Sequence, residues 1–324
     1  MKTFANQLNC RIAVPDVSKL SRQEWLQIRR RSLGGSDISA ALGLNRWRSP
    51  LEVWADKCGL PVKNEMSEAC RWGILLEEPI RAELSRRNGW QIEKPSAMFQ
   101  HRSIPFLTAN VDGIALIPEK GRAIVEIKTG SSYKEQEWSD GQVPAEYLLQ
   151  AQSYLDVLDL SCCVLACLLG GQKLIVTEVS RDSEMIDSIH RLAADFWDHV
   201  QNRIPPDPDG SDATAEFLAK LYPTSSNQSP MILAETADTI IEEWHKAKSD
   251  EEVAAEQRRL AESRLKTMLQ DHEAGISPGG WRVSWKSVST SRLDSARIKV
   301  EEPSIWTRYC TPTTSRRLSI SAKK

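Results

Sequence analysis

Two carboxylates and an ammonium stand out by type and spacing: Asp112 in Val111-Asp112-Gly113 and, after thirteen intervening residues, Glu126-Ile127-Lys128. Carboxylate oxygens suit a hard divalent cation such as Mg2+, which keeps several of its waters and prefers oxygen ligands. A bound cation lowers the pKa of its water, and a lysine at hand can orient that water or take its proton for in-line attack on phosphorus. The carbonyl of Ile127 offers one more oxygen ligand. Asp-Gly is also an ordinary turn dipeptide, and Glu-x-Lys is an ordinary exposed-strand pattern. The spacing alone therefore leaves both readings open.

A hairpin is the element that must bring the three together. The run 106–118, a turn at Glu119-Lys120-Gly121 and the run 122–128 have the period of paired strands. With the turn near Lys120, Asp112 falls opposite Lys128. Glu126 shares their side because strand side chains alternate. Val125 and Ile127 then face the core. Upstream, the pattern predicts helices over 21–31, over 36–43 with Ser36 as N-cap, from Ser49-Pro50 to Gly59, and over 67–87 up to Asn88-Gly89. The Gly34-Gly35 pair lets the backbone approach a neighbour closely. Downstream come an amphipathic helix from Pro144 to Leu158 and two apolar strands, 161–169 and 173–179, around Gly170-Gly171. A helix capped by Asp182 then runs to about Asn202.

The composition, 40% hydrophobic and 27% charged, is that of a folded globular chain. Seven cysteines without CxxC spacing argue against a disulfide framework and a zinc site, and Cys162, Cys163 and Cys167 read as core. The five histidines show no ligand spacing, and most of the eleven tryptophans read as core or interface. A net charge of −2 gives no global attraction to nucleic acid, so such binding must come from local clustering. No run is apolar enough to span a membrane and the first residues lack a signal-peptide core, so a cytoplasmic protein is expected. The proline-rich run 204–210 marks the expected boundary between a core, 1–205, and a C-terminal part, 206–324, that packs on it. That part holds a long, largely solvated helix over 235–271, then alternating Trp281, Val283 and Trp285, and a basic, serine-rich end.

Four blocks in order resemble the YqaJ/lambda exonuclease branch of the PD-(D/E)XK nucleases. Trp25 to Arg29 with Gly35-Ser36-Asp37 is similar to its N-terminal block, and Trp72-Gly73 through Glu77 to its Gly-x-x-x-Glu helix. Asp112 with Glu126-Ile127-Lys128 is similar to the bipartite motif itself, with Val111 at the usual proline position. Val143-Pro144 through Gln150-Ala151-Gln152 resembles the glutamine-bearing helix. The resemblance covers 25–202, and 295–317 looks like tails of the same branch.

It implies an α/β fold with a restriction-endonuclease-like core, a mixed central sheet flanked by helices, followed by a helical arm and a small β appendage. Asp112, Glu126, Glu77 and the Ile127 carbonyl would bind metal, with Glu77 favoured over Glu78 by its spacing from Gly73. Lys128 would serve the attacking water, Gln150 would orient it, Arg29 and Ser36 would form a 5′-phosphate pocket, and Arg46 would reach DNA. The implied activity is Mg2+-dependent, with Mn2+ substituting and two ions per site: 5′-to-3′ degradation of linear duplex DNA, leaving 3′ overhangs. The implied assembly is a toroidal homotrimer working with a single-strand annealing protein, of phage or prophage origin in a bacterial host. Two alternatives stay open. One is an endonuclease or single-strand-specific nuclease with the same metal chemistry, and the other is a non-catalytic DNA-binding scaffold built on the long helix.

Overall fold

A computed structural model describes residues 8–60, 66–225 and 230–321, so the initial residues 1–7 read for a signal sequence lie outside it. The chain forms two compact units, one ending at Tyr222 and one beginning at Pro223. The first opens with β1 (Arg11–Val14), α1 (Arg22–Arg30), β2 (Leu33–Gly34), α2 (Gly35–Ala41) and α3 (Pro50–Lys57). Ser21 caps α1 in a full capping box with Glu24, and Ser49 caps α3 with Pro50 as its first residue, the latter as the cap-then-proline pattern predicts. Gly34, not Ser36, is the N-cap of α2: Asp37 turns back to accept from the Gly34 N–H at 3.2 Å, leaving Ser36 inside the first turn and exposed.

Next come α4 (Glu68–Asn88), β3 (Gln91–Glu93), β4 (Met98–Gln100), β5 (Leu107–Ala109), β6 (Gly113–Ile117) and β7 (Gly121–Gly130). Ser67 caps α4 and Gly89 ends it in the left-handed conformation. The run 106–118 is not one strand. β5 belongs to a four-stranded sheet ordered β1-β4-β5-β2, whereas β6 enters a five-stranded sheet of order β3-β6-β7-β8-β9, and Asn110 to Asp112 is the passage between them. β8 (Cys162–Leu169) and β9 (Lys173–Ser180) complete the larger sheet. β7 and β8 are parallel and the other neighbours antiparallel, the mixed sheet of a restriction-endonuclease-like core. A parallel pair needs a crossover, made here by a 3-10 segment (Ser132–Gly141) and α5 (Ala145–Leu158).

The turn between β6 and β7 centres on Glu119, which takes a positive φ of 68°, and Gly113 pairs with Val125. The register is therefore two residues from the one expected. Because the slip is even, the side-chain parity survives. Ala123, Val125 and Ile127 pack with Ile80 and Leu84 of α4, while Ile124 faces the other layer with Leu149, Leu155, Cys163 and Leu165. Alternation thus aims Glu126 and Lys128 at α5. That helix is not amphipathic: every residue from Leu149 to Leu158 is buried, because it lies between the sheet, α2 and α6. All seven cysteines are free and Cys162, Cys163 and Cys167 are buried, as read.

α6 (Ser183–Asn202), capped by Asp182, and α7 (Asp212–Leu221), which packs on α3, close the first unit. The second holds α8 (Ala237–Leu269), the hairpin β10 (Ala274–Ile276) and β11 (Arg282–Ser284), α9 (Ser295–Glu301) and α10 (Pro303–Tyr309). Among the described residues, no helix is long and apolar enough to cross a membrane.

Candidate active site

Glu126 on β7 is 3% exposed and its Oε1 accepts from Lys128 Nζ at 2.7 Å and from Gln150 Nε2 at 2.7 Å. Gln150 closes the triangle, its own Oε1 accepting from Lys128 at 2.9 Å, and it also donates to the Tyr154 hydroxyl at 3.1 Å. The other Glu126 oxygen is buried without a partner among the described residues. Burial pushes the Glu126 carboxyl up to about 8 against the pull of Lys128, with Asp112 adding to the rise. Burial also opposes the Lys128 ammonium, yet Glu126 and Asp112 outweigh it and raise its pKa.

Asp112 stands in the passage between the two sheets, just before β6. Its Oδ2 accepts from the Ile127 N–H at 2.8 Å and its carbonyl accepts from the buried Arg81 guanidinium at 2.9 Å. Burial raises its pKa as well, the Ile127 bond and the Lys128 charge working the other way. Glu77 reaches the same place from α4, with Oε2 held by Lys94 at 2.8 Å, whereas Glu78 points outward and pairs with Arg81.

Glu77, Asp112, Glu126, Lys128, Gln150 and Tyr154 line one cleft of about 710 Å³, together with Ile127, Arg29, Ser36, Asn110, Trp47 and Glu146. A buried carboxylate with an orphaned oxygen and a part-buried one beside it, both raised in pKa by desolvation, form a donor set that fits a hard cation.

At one wall, Arg29 Nη2 lies 3.2 Å from Asp37 and 3.5 Å from Ser36 Oγ. Asp37 is fully buried and also takes Arg48 at 2.6 Å and Lys57 at 2.6 Å. Burial would raise its carboxyl, but Lys57, Arg29 and Arg48 together hold it well below the usual range. Arg48 also takes Asp56 at 2.9 Å, and of these three cations Arg29 is the one that lines the cleft. The close approach expected at Gly34-Gly35 is to Tyr154: a Cβ on Gly35 would meet the ring carbon Cε1 at 2.4 Å. Arg46 does not line the cleft. It forks onto Glu137 at 3.0 and 3.2 Å and approaches Glu146 at 3.5 Å.

Sequence reasoning missed Asp37, Arg48, Lys57, Arg81, Asn110 and Tyr154. Only Asp37 carried a signal, as part of the Gly35-Ser36-Asp37 block; the others have no local pattern that separates them from surface or core positions. It also missed that His101 and His190, 89 positions apart, meet at Asp156 at 3.4 and 2.6 Å. Among the described residues this grouping has metal-like spacing, but none of the three lines the cleft. His101 Nδ1 accepts from the N–H groups of Ser103 at 3.2 Å and Ile104 at 2.9 Å. The neutral ring therefore carries its proton on Nε2, towards Asp156, with no lone pair there for a cation. Arg181 takes the other Asp156 oxygen at 2.8 Å, making the grouping a clip between α5, α6 and the end of β9.

Residues 24–161, which include every one of the sequence-predicted site residues, match the family model described as the YqaJ-like viral recombinase domain. The chain is 36% identical over 307 residues to the protein titled "Uncharacterized protein YqaJ" of Bacillus subtilis (strain 168), covering 94% of this chain and 95% of that one. A protein of African swine fever virus is 45% identical over 53 residues, 16% of this chain and 15% of that one. Among solved structures, an alkaline exonuclease from Laribacter hongkongensis is similar with a TM-score of 0.48 at 18% identity, covering 56% of this chain and 94% of that one. A phage-related exonuclease from Haemophilus somnus has a TM-score of 0.40 at 15% identity, with 53% and 95% covered. Identity to YqaJ that runs nearly end to end carries the assignment: the chain belongs to the YqaJ-like viral recombinase family.

Proposed function

We propose that this chain is a Mg2+-dependent exonuclease that degrades one strand of linear duplex DNA from its 5′ end, leaving 3′ overhangs for recombination by strand annealing. Glu126 carries the reading: a buried carboxylate with one oxygen held by Lys128 and Gln150 and the other unpartnered, at the floor of an open cleft.

Asp112, Glu126, Glu77 and the Ile127 carbonyl would hold Mg2+, or Mn2+ in its place, as two ions per site. When bound, the metal draws charge from the phosphate oxygens and makes water a better nucleophile. Lys128, held on its other side by Glu126 and Gln150, directs an N–H at the attacking water. Gln150 fixes the Lys128 ammonium and the Glu126 carboxylate relative to each other. Arg29 and Ser36 receive the terminal 5′-phosphate, whose charge suits a guanidinium fork. Arg46 contacts the duplex after leaving Glu137. A homotrimeric ring would keep the substrate threaded between cuts, and a single-strand annealing protein would take up the overhang. Phage or prophage origin in a bacterial cytoplasm fits this role, and membership of a viral recombinase family supports it.

Incubation with 5′-phosphorylated linear duplex and with its covalently closed circle, each with Mg2+ or EDTA, tests the reading. Loss of the linear form alone, and only with metal, is expected. Cutting of the circle would indicate an endonuclease, and intact DNA throughout would indicate a scaffold. Light scattering tests the trimer separately.

A further inference from the structure

The loop between α2 and α3 carries Asn45-Arg46-Trp47-Arg48, whose side chains go three ways. Arg48 turns inward to Asp37 and Asp56, and Arg46 is occupied by Glu137 and Glu146. Trp47 stays 54% exposed at the cleft wall. Its position is held from behind: Asn45 Oδ1 accepts from the N–H groups of Trp47 at 2.9 Å and Arg48 at 3.1 Å, and the Asn45 amide donates to Ser39 at 3.2 Å. Lys134, from the 3-10 segment after β7, places its Nζ 4.4 Å from the centre of the Trp47 ring, and the Arg46 guanidinium carbon lies 5.3 Å from it. Among the described residues, the Lys134 ammonium has no ion pair, so its charge is available to an incoming anion.

We infer that Trp47 is a stacking platform for an unpaired nucleobase of the strand entering the cleft, with Lys134 pairing to the phosphate beside that base. The inference rests on the nuclease reading for the identity of the strand. The Asn45 bonds fix the backbone that carries Trp47, and the indole itself is met only by the Lys134 and Arg46 cations among the described residues. An indole with an ammonium over its ring matches a nucleotide, whose base can take the face as its phosphate draws the ammonium aside. Since every base has a π-face, the contact is blind to sequence. It takes a base whose face is free, as in single-stranded nucleic acid, and not a base stacked within a duplex. Trp47 is thus a positioning residue for substrate.

Anisotropy of a 3′-fluorescein, 5′-phosphorylated dT12 in EDTA tests this, compared with the same oligonucleotide carrying abasic sites in its four 5′ positions. The wild-type protein should bind the intact strand about tenfold more tightly than the abasic one. Trp47→Ala should lose that preference and Trp47→Phe should keep most of it. Lys134→Ala should reduce the slope of log affinity against log salt by about 0.7, the share of one phosphate on a single strand. Equal wild-type binding to the two strands, or an undiminished preference in Trp47→Ala, would overturn the inference. So would an altered oligomeric state in Trp47→Ala with unchanged oligonucleotide binding, which would make Trp47 a protein contact. Degradation of linear duplex by the wild type in Mg2+ is scored separately. If that fails while the Trp47-dependent preference holds, the nuclease reading falls and the platform stands.

Discussion

The Ile127 N–H donates to Asp112 Oδ2 at 2.8 Å, so a carboxylate that belongs to no strand ladder is nonetheless fixed by the hairpin. The two substitutions that remove its charge should therefore differ. Asp112→Asn keeps an acceptor for Ile127, whereas Asp112→Ala leaves a buried N–H unpaired, at a cost of about 1–3 kcal/mol. Both should lower metal-dependent cleavage more than about a hundredfold, since loss of outer partners of a metal site already costs up to that much. Chemical denaturation with single-turnover assays separates the effects, and near-full activity of Asp112→Asn would remove it from the metal site.

Lys128 touches Glu126 and Gln150 but is not a cation ligand. Lys128→Met should reduce single-turnover cleavage by about 10²–10⁴-fold, the range for a positioned proton-transfer group. Binding of duplex ends in a gel shift should persist. Equal loss of binding and cleavage would contradict a role confined to the water.

Arg29 and Asp37 respond differently because Asp37 has three cationic partners and Arg29 has one anionic partner. Arg29→Ala should fold and should shrink the preference for 5′-phosphorylated over 5′-hydroxyl ends by about tenfold, the value of one charge-assisted pair. Asp37→Ala should lose about 3–5 kcal/mol of stability, because Lys57 is left charged and buried. Initial rates on the two ends and urea midpoints check both, and an unchanged phosphate preference in Arg29→Ala would dismiss the pocket.

His101 gives the molecule an acid-sensitive point away from the cleft. Burial lowers its pKa from the ordinary 6.5, outweighing Asp156, and its Nδ1 is committed to two backbone N–H groups. The unfolded chain takes up the proton first as pH falls, so this contribution to stability is present above pH 6.5 and declines below it, until the folded-state pKa is reached. Urea midpoints across pH 5 to 8 should show a slope of that sign, about one His wide. His101→Asn should flatten it, and an unchanged slope in the variant would assign the effect elsewhere.

The helix starts were legible because caps are local: Ser49 and Asp182 each accept the backbone bond that their place in the sequence promised. The grouping of Asp112, Glu126 and Lys128 was legible because strand parity tolerates an even slip in register. Ser36 misled as a cap because the competing acceptor, Asp37, follows it directly. The break between β5 and β6 was hidden because both halves are apolar and differ only in the sheet they join. The clip at Asp156 and the ion cluster around Asp37 depend on contacts between distant segments, which no local spacing encodes.

Tyr154 touches Gly35 with its ring and Gln150 with its hydroxyl. An aromatic ring neither compresses nor lengthens, so it acts as a gauge block between the helix start that carries Ser36 and Gln150, the side chain that holds Glu126. If a strand end is seated at one side and cut at the other, this offset sets the size of each step. Every step would then be the same length, whatever the bases in between.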